Sequence, residues 1–221
     1  MTKYSIAVFL LLSHLAAAQE PVCSAASRCG NIVFDGDSIS VGVGTKGPRP
    51  EMLLSQALKR SVTVKNIAVG GRPVGTCLQL FQRDIAVNFN ANASFNLIVF
   101  HAGDNDIARG SSARETYDSF TQYVRLAHGQ GWKVVVSTEI PHLNFDHAKE
   151  AALEDYDRML VGNEAGADAV VDLSRDPDLF DSARRHDSPL FSPDLVHPND
   201  TGYQHLNGLL VQAIQKILPP P

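Results

Sequence analysis

Five short apolar, β-prone runs are spaced along the chain. They are Asn31-Ile32-Val33-Phe34, Val62-Thr63-Val64, Asn96-Leu97-Ile98-Val99-Phe100, Lys133-Val134-Val135-Val136-Ser137 and Ala169-Val170-Val171-Asp172. The third is almost wholly apolar, as a strand covered on both faces should be. Between the runs, apolar residues recur at helical spacing. Leu54, Ala57 and Leu58 do so within Glu51–Lys59, and Phe120, Val124 and Ala127 within Ala113–His128. Helices are predicted over these two segments and over 75–87, 148–161 and about 201–217. Asn199 or Asp200 is placed to cap the last of them. Strands alternating with helices predict an α/β fold, a parallel sheet covered on both faces.

Polar residues gather where these strands end. The first run leads into Asp35-Gly36-Asp37-Ser38-Ile39-Ser40, and Gly36 permits a sharp turn there. The second leads into Asn66-Ile67-Ala68-Val69-Gly70-Gly71-Arg72, and the third into His101-Ala102-Gly103-Asp104-Asn105-Asp106. In a parallel sheet these ends share one edge, where open α/β sheets place their ligand crevice. A lone loop serine is ordinarily a cap or a turn former, so Ser38 needs a partner before it is chemistry. Asp194 and His197 stand three residues apart just before the last helix. Pro198 biases His197 away from helical geometry. Together they make a workable acyl-transfer site: Ser38 attacks, His197 takes its proton, and Asp194 orients the imidazole. The N–H groups of Ser38 and Gly71 and the Asn105 side chain are candidate oxyanion donors.

The chain has 221 residues, which suits one domain with a sizeable core. Its first residues read as a secretory signal: Lys3, an apolar run from Ile6 to Leu12, then Ala16-Ala17-Ala18 before a cleavage site. The expectation is a signal over 1–18, a single domain over 19–221, and an extracellular protein. Removing the signal takes away Lys3 and makes the −5 of the full chain one unit more acidic. That acidity argues against nucleic acid and anionic lipid as partners. No later segment is apolar and long enough to span a bilayer. Secretion favours disulfides among Cys23, Cys29 and Cys77. A Cys23–Cys29 bridge leaves Cys77 free and buried, although spacing alone does not fix the pairing. Asn92-Ala93-Ser94 and Asn199-Asp200-Thr201 are glycosylation sequons in a eukaryotic host. Asn199 is too near His197 to be the better of the two.

At this point the sequence resembles the SGNH hydrolases, also called GDSL esterases. Gly36-Asp37-Ser38 matches the first motif block of that family, and Asn66 with Gly71 five residues on is similar to the second. Gly103-Asp104-Asn105-Asp106 matches the third, and Asp194-Leu195-Val196-His197 the last. All four stand in the family's order across nearly the whole mature chain. The resemblance implies a three-layer α/β/α sandwich with a five-stranded parallel sheet, flavodoxin-like in arrangement. It implies Ser38 as nucleophile, Asp194 and His197 as its partners, and Ser38, Gly71 and Asn105 as the oxyanion hole. No metal or organic cofactor is implied. The rival G-x-S-x-G elbow fails because Ser40 stands where its second glycine belongs. The expected function is a secreted, monomeric serine esterase releasing short acyl groups, acetyl above all, from carbohydrate. A lipid or thioester hydrolase of the same family is the second reading. A secreted binding module with an idle site is a third, from another class.

Other motifs carry less. Gly42, Gly44 and Gly47 match G-x-G-x-x-G, but the strand has already ended and Pro48 and Pro50 follow. A flexible loop beside the site is the better reading. His142, Asp146 and His147 share a loop without metal-site spacing. His101 either lines the pocket or is a satisfied histidine at a strand end. His128, His186 and His205 read as surface or helix-end residues, and Arg184-Arg185 as a solvated pair. Trp132 reads as packing. Phe191 and Tyr203 are candidates for lining the acyl or alcohol side.

Overall fold

The computed structural model of the chain describes residues 29–140, 144–173, 176–180 and 189–218. The expected signal, Cys23, His142, Arg184-Arg185 and His186 lie outside them. Five strands form one parallel sheet: β1 (Gly30–Gly36), β2 (Val62–Asn66), β3 (Asn96–His101), β4 (Lys133–Ser137) and β5 (Ala169–Val171). Their order is β2-β1-β3-β4-β5, with every neighbouring pair parallel. Strand order therefore reverses between β1 and β3, and the crevice beyond their C-terminal ends is where such sheets bind ligands.

Nine helices occur among the described residues: α1 (Ser38–Val41), α2 (Pro50–Ala57), α3 (Val74–Gln79), α4 (Phe81–Asp84), α5 (Asp104–Ala108), α6 (Ala113–Gln130), α7 (His147–Gly162), α8 (Pro177–Phe180) and α9 (Asp200–Ile217). Strand side chains alternate between faces, so the sheet divides the interior into two cores. Ile32, Phe34, Leu97, Val99 and Val135 face α2 and α9. Val33, Ile98, Phe100, Val134 and Val136 face α3, α4, α6 and α7. This is the expected three-layer α/β/α sandwich. On α9, Tyr203, Leu206, Leu210 and Ile214 are buried at helical spacing. Each such side chain contributes roughly 1.5–3 kcal/mol by leaving water.

The differences from expectation have local causes. The helix expected over 75–87 is broken into α3, α4 and a 3₁₀ turn at Ala86–Asn88. Leu80 sits at φ −93°, ψ 2°, outside helical geometry, and the break turns Phe81 and Ile85 into the core. α1, α5 and α8 were not expected, because four or five residues are too few to show a helical period. The sequence reading also missed a buried charge group under the sheet edge. Asp35, at the end of β1, accepts from Arg72 at 3.1 Å, from the Tyr123 hydroxyl at 2.8 Å and from the Gly36 N–H at 2.8 Å. Arg72 also faces Asp84 at 3.4 Å. An unpaired charge there would be costly, and this pairing offsets it. Cys77 is free and buried, and burial pushes its thiol far above the ordinary range.

Candidate active site

β1 and β3 stay paired to their last residues, Gly36 opposite His101, and the Asp37 N–H then donates to the His101 carbonyl at 3.0 Å. Gly36 has φ +128°, and a Cβ there would lie 2.0 Å from that carbonyl oxygen. Only glycine lets the two strands run side by side to the point where each releases its polar residues. Asp37 is wholly buried and caps α1, its Oδ1 accepting the Ile39 N–H at 2.9 Å. Ser38 is therefore the first residue of a short helix and not part of a loop.

The C-terminal segment brings the other members across. His197 Nε2 lies 2.9 Å from Ser38 Oγ, and His197 Nδ1 lies 2.8 Å from Asp194 Oδ2. Asp194 Oδ1 accepts the N–H groups of Val196 and His197, each at 3.0 Å, and Ser192 Oγ is 2.8 Å away. Burial works to raise the Asp194 carboxyl. The His197 N–H, the His197 ring, the Val196 N–H and the Ser192 hydroxyl outweigh it and hold the group well below the carboxylate range. The turn is closed by Leu195 at φ +58°, a left-handed position that a branched side chain rarely takes. Ser192 grips its far end, its N–H donating to the His197 carbonyl at 2.8 Å.

The glycine-rich run after α1 acts as a clasp on this segment, where a flexible loop was expected. Thr45 Oγ1 and the N–H groups of Lys46 and Gly47 all donate to Asp200 Oδ1, in the first turn of α9. A Cβ on Gly44 would stand 2.4 Å from the Pro198 carbonyl and 3.0 Å from His197 Cβ. The Tyr203 hydroxyl holds Val43 from below at 2.8 Å. Tyr203 and Phe191 are buried in the core and do not line a substrate face. The Asn199 side chain caps α9 through its Oδ1 and donates its Nδ2 to Pro189 and Phe191 carbonyls.

Gly70 and Gly71 border the serine on its other side. A Cβ on Gly70 would lie 3.8 Å from Ser38 Cβ, and one on Gly71 3.8 Å from Asn105 Oδ1. The N–H groups of Ser38 and Gly71 have no acceptor among the described residues. Three side chains set this loop. Asn66 Nδ2 donates to Ser40 O at 2.7 Å, Arg109 donates to Gly71 O at 2.7 Å, and Asp106 Oδ2 accepts the Val74 N–H at 2.8 Å. Asn105 stands at the start of α5, its Nδ2 2.6 Å from Asp104 Oδ1 and 3.4 Å from Asp37 Oδ2. The expected residues Ser38, Gly71, Asn105, Asp194 and His197 thus meet at one edge of the sheet. Ser192 and Arg109 were not singled out; Asp106 was quoted only within the third motif block, and Asp200 only as a candidate cap.

Behind the serine lies a second group of acids. Asp37, Glu139 and Asp157 are all buried, and burial pushes each carboxyl well above its ordinary range. His101, between them, is buried as well and is not a pocket-lining residue. Ligand atoms of Asp37, His101 and Glu139 lie within 4.8 Å of one another, close enough to share a cation; so do those of Asp176, Asp178 and His205. In the latter group Asp176 is already engaged, by His205 Nε2 at 2.6 Å and by the N–H groups of Asp178 and Leu179.

The model of the GDSL-like lipase/acylhydrolase family matches residues 34–205. Solved structures agree in fold. A lipase/acylhydrolase from Enterococcus faecalis superposes with a TM-score of 0.68 at 18% identity, over 88% of this chain and 99% of its own. An acetyl xylan esterase does so with a TM-score of 0.64 at 17% identity, over 83% and 99%. A psychrotrophic esterase from Pseudoalteromonas sp. gives 0.63 at 16%, over 84% and 97%. No curated protein sequence matches the chain. The family match spans most of the sequence and includes all four motif blocks, so the chain belongs to the GDSL-like lipase/acylhydrolase family and is a carboxylic ester hydrolase.

Proposed function

We propose that this enzyme releases short acyl groups, acetyl above all, from carbohydrate by a serine acyl-enzyme route. The observation that carries the mechanism is the continuous contact from Ser38 Oγ through both nitrogens of His197 to Asp194. Ser38 Oγ attacks the ester carbonyl while His197 Nε2 takes the hydroxyl proton. Asp194, held ionised, keeps Nδ1–H pointing toward itself and stabilises the imidazolium. The carbonyl oxygen becomes an oxyanion, met by the N–H groups of Ser38 and Gly71 and by Asn105 Nδ2. Collapse expels the alcohol, which takes the proton from His197. Water, deprotonated by the same nitrogen, then frees the acid and restores Ser38.

The acetyl and carbohydrate parts of this reading draw on a structural neighbour and on the shape of the site. One structural neighbour is described as an acetyl xylan esterase. The connections around Ser38 are short, which suits a small acyl group on a large, solvent-borne alcohol. The reading includes a cleaved signal over 1–18, a single mature domain over 19–221 acting outside the cell as a monomer, and no cofactor. A Cys23–Cys29 bridge and a glycan on Asn92 belong to the same reading; Asn92 lies in an exposed turn. One observation favours the lipid or thioester reading. Val69, beside Gly70-Gly71, is 48% exposed, and Val43 is 38% exposed, so apolar surface is available near the serine. A binding module has no use for the hydrogen-bonded Ser38-His197-Asp194 chain.

A series of p-nitrophenyl esters from acetate to dodecanoate separates these readings, followed by acetylated xylan and pectin fragments. The acetyl reading predicts the highest kcat/KM with acetate and release of acetate from at least one polymer. A kcat/KM that climbs with chain length transfers the enzyme to the lipid or thioester class. Absence of turnover on every ester leaves the binding module.

A further inference from the structure

We propose that Arg109 is a specificity-determining residue: its guanidinium, beside the oxyanion donors, takes the carboxylate of a uronic acid, so that the acylated carbohydrate is an anionic one. The proposal deepens the reading of Ser38 as the nucleophile of a carbohydrate esterase and rests on it.

Arg109 closes the C-terminal end of α5, just beyond Asn105, and is exposed. Its Nη2 donates to the Gly71 carbonyl at 2.7 Å. A Cβ on Gly71 would lie 3.9 Å from that same nitrogen and 3.8 Å from Asn105 Oδ1, so the guanidinium and the Asn105 side chain both border Gly71. Gly70, the residue before it, borders the serine, with a Cβ there lying 3.8 Å from Ser38 Cβ. The guanidinium therefore adjoins the oxyanion donors and is open to solvent.

Its charge is not neutralised within the described part of the protein. Arg72, Arg83, Arg114 and Arg158 each pair with a carboxylate. Among the described residues no carboxylate pairs with Arg109, whose one hydrogen bond there goes to a neutral carbonyl. A guanidinium carries five N–H donors in a planar fork, and bracing Gly71 takes only one of them. The free donors match a carboxylate, which such a fork binds through two parallel hydrogen bonds. The occupant follows from the two chemistries at this edge. Ser38 takes the ester of a sugar hydroxyl, and the carboxylate that a sugar carries is that of a uronic acid. The whole chain, at −5, repels polyuronate in general. A preference for such a substrate therefore requires a local cation placed as Arg109 is.

The test compares wild type, Arg109→Lys and Arg109→Gln on O-acetylated trigalacturonate, O-acetylated xylotriose and acetyl-coenzyme A. Loss of the Gly71 brace is expected to lower kcat by a common factor on all three. KM for the galacturonate ester alone is expected to rise by about 5–20-fold in Arg109→Gln, between the scale of an exposed ion pair and that of a charge-assisted hydrogen bond. Arg109→Lys keeps the charge without the fork, and its rise is smaller. A rise shared equally by the xylotriose ester leaves Arg109 as a brace only and overturns the proposal. So does an unchanged galacturonate KM, or wild type that hydrolyses the xylotriose ester and not the galacturonate ester. A rise confined to acetyl-coenzyme A assigns the guanidinium to phosphate and overturns the uronate. Calorimetric titration of Ser38→Ala with unesterified trigalacturonate and with xylotriose gives a second measurement. Tighter binding of trigalacturonate is expected, and equal or weaker binding overturns the proposal. The titration needs neither turnover nor an Arg109 variant, so it decides even where Arg109→Gln does not fold. Undiminished hydrolysis by Ser38→Ala ends the nucleophile reading and leaves the titration result standing apart from it.

Discussion

Asn105 Nδ2 sits between two acids, 2.6 Å from Asp104 and 3.4 Å from Asp37. The longer contact leaves one hydrogen weakly held and ready for an oxyanion. A donor of this kind matters more in the transition state than in the bound ester. Asn105→Ala should lower kcat by about 10²–10³ with little change in KM. Steady-state kinetics beside a melting curve checks this: lost stability with unchanged kcat makes Asn105 a loop brace only. The meeting of Ser38, Gly71, Asn105, Asp194 and His197 was readable in the sequence because each follows a strand or precedes a helix on one sheet edge. Ser192 and Arg109 were not readable. Each acts on a backbone group brought near by a loop turn, and no local pattern records that.

The clasp between the segment after α1 and the start of α9 sets where His197 stands. Gly44 is its tightest point, at φ +100° and with Pro198 O only 2.4 Å from where a Cβ would be. Gly44→Ala should push the His197 segment away from Ser38 and lower kcat by roughly 10²-fold, the scale expected for about 1 Å of misplacement. Circular dichroism should stay that of the wild type, since the two cores are untouched. A folded variant with wild-type kcat would show that the clasp is irrelevant to His197. Elements longer than a turn and a half were legible from periodicity, as α6 and α9 were. The glycine run was not, because its partner Asp200 is 153 positions beyond Gly47.

The whole molecule keeps buried acids against the pull of solvation, and this gives its stability a pH signature. The Asp157 carboxyl is raised well above its ordinary range, first by burial and then by Glu139. Between the unfolded and folded values the unfolded chain binds fewer protons than the folded one, so this group's contribution falls as pH rises. Asp157→Asn keeps an oxygen to accept the Glu139 N–H, 2.8 Å away in the wild type, and cannot ionise. Its stability relative to wild type should climb with pH above about 4, by at most about 1.4 kcal/mol per unit. Urea unfolding at pH 5 and pH 8 checks this, and a difference that shrinks toward pH 8 contradicts it. The parallel sheet covered on both faces followed from strand spacing and alternation, while the strand order did not. The buried acids did not, because a carboxyl at a strand end looks the same in sequence whether it faces water or another carboxyl.

Every step of the proposed reaction depends on Ser38 as the nucleophile. Peptide mass spectrometry after reaction with a fluorophosphonate, with residual esterase activity followed in parallel, tests it directly. One phosphonyl group per chain, on Ser38, with activity falling in step and no labelling in Ser38→Ala, is the predicted result. Full loss of activity with the label on another residue, or undiminished ester hydrolysis by folded Ser38→Ala, would contradict it.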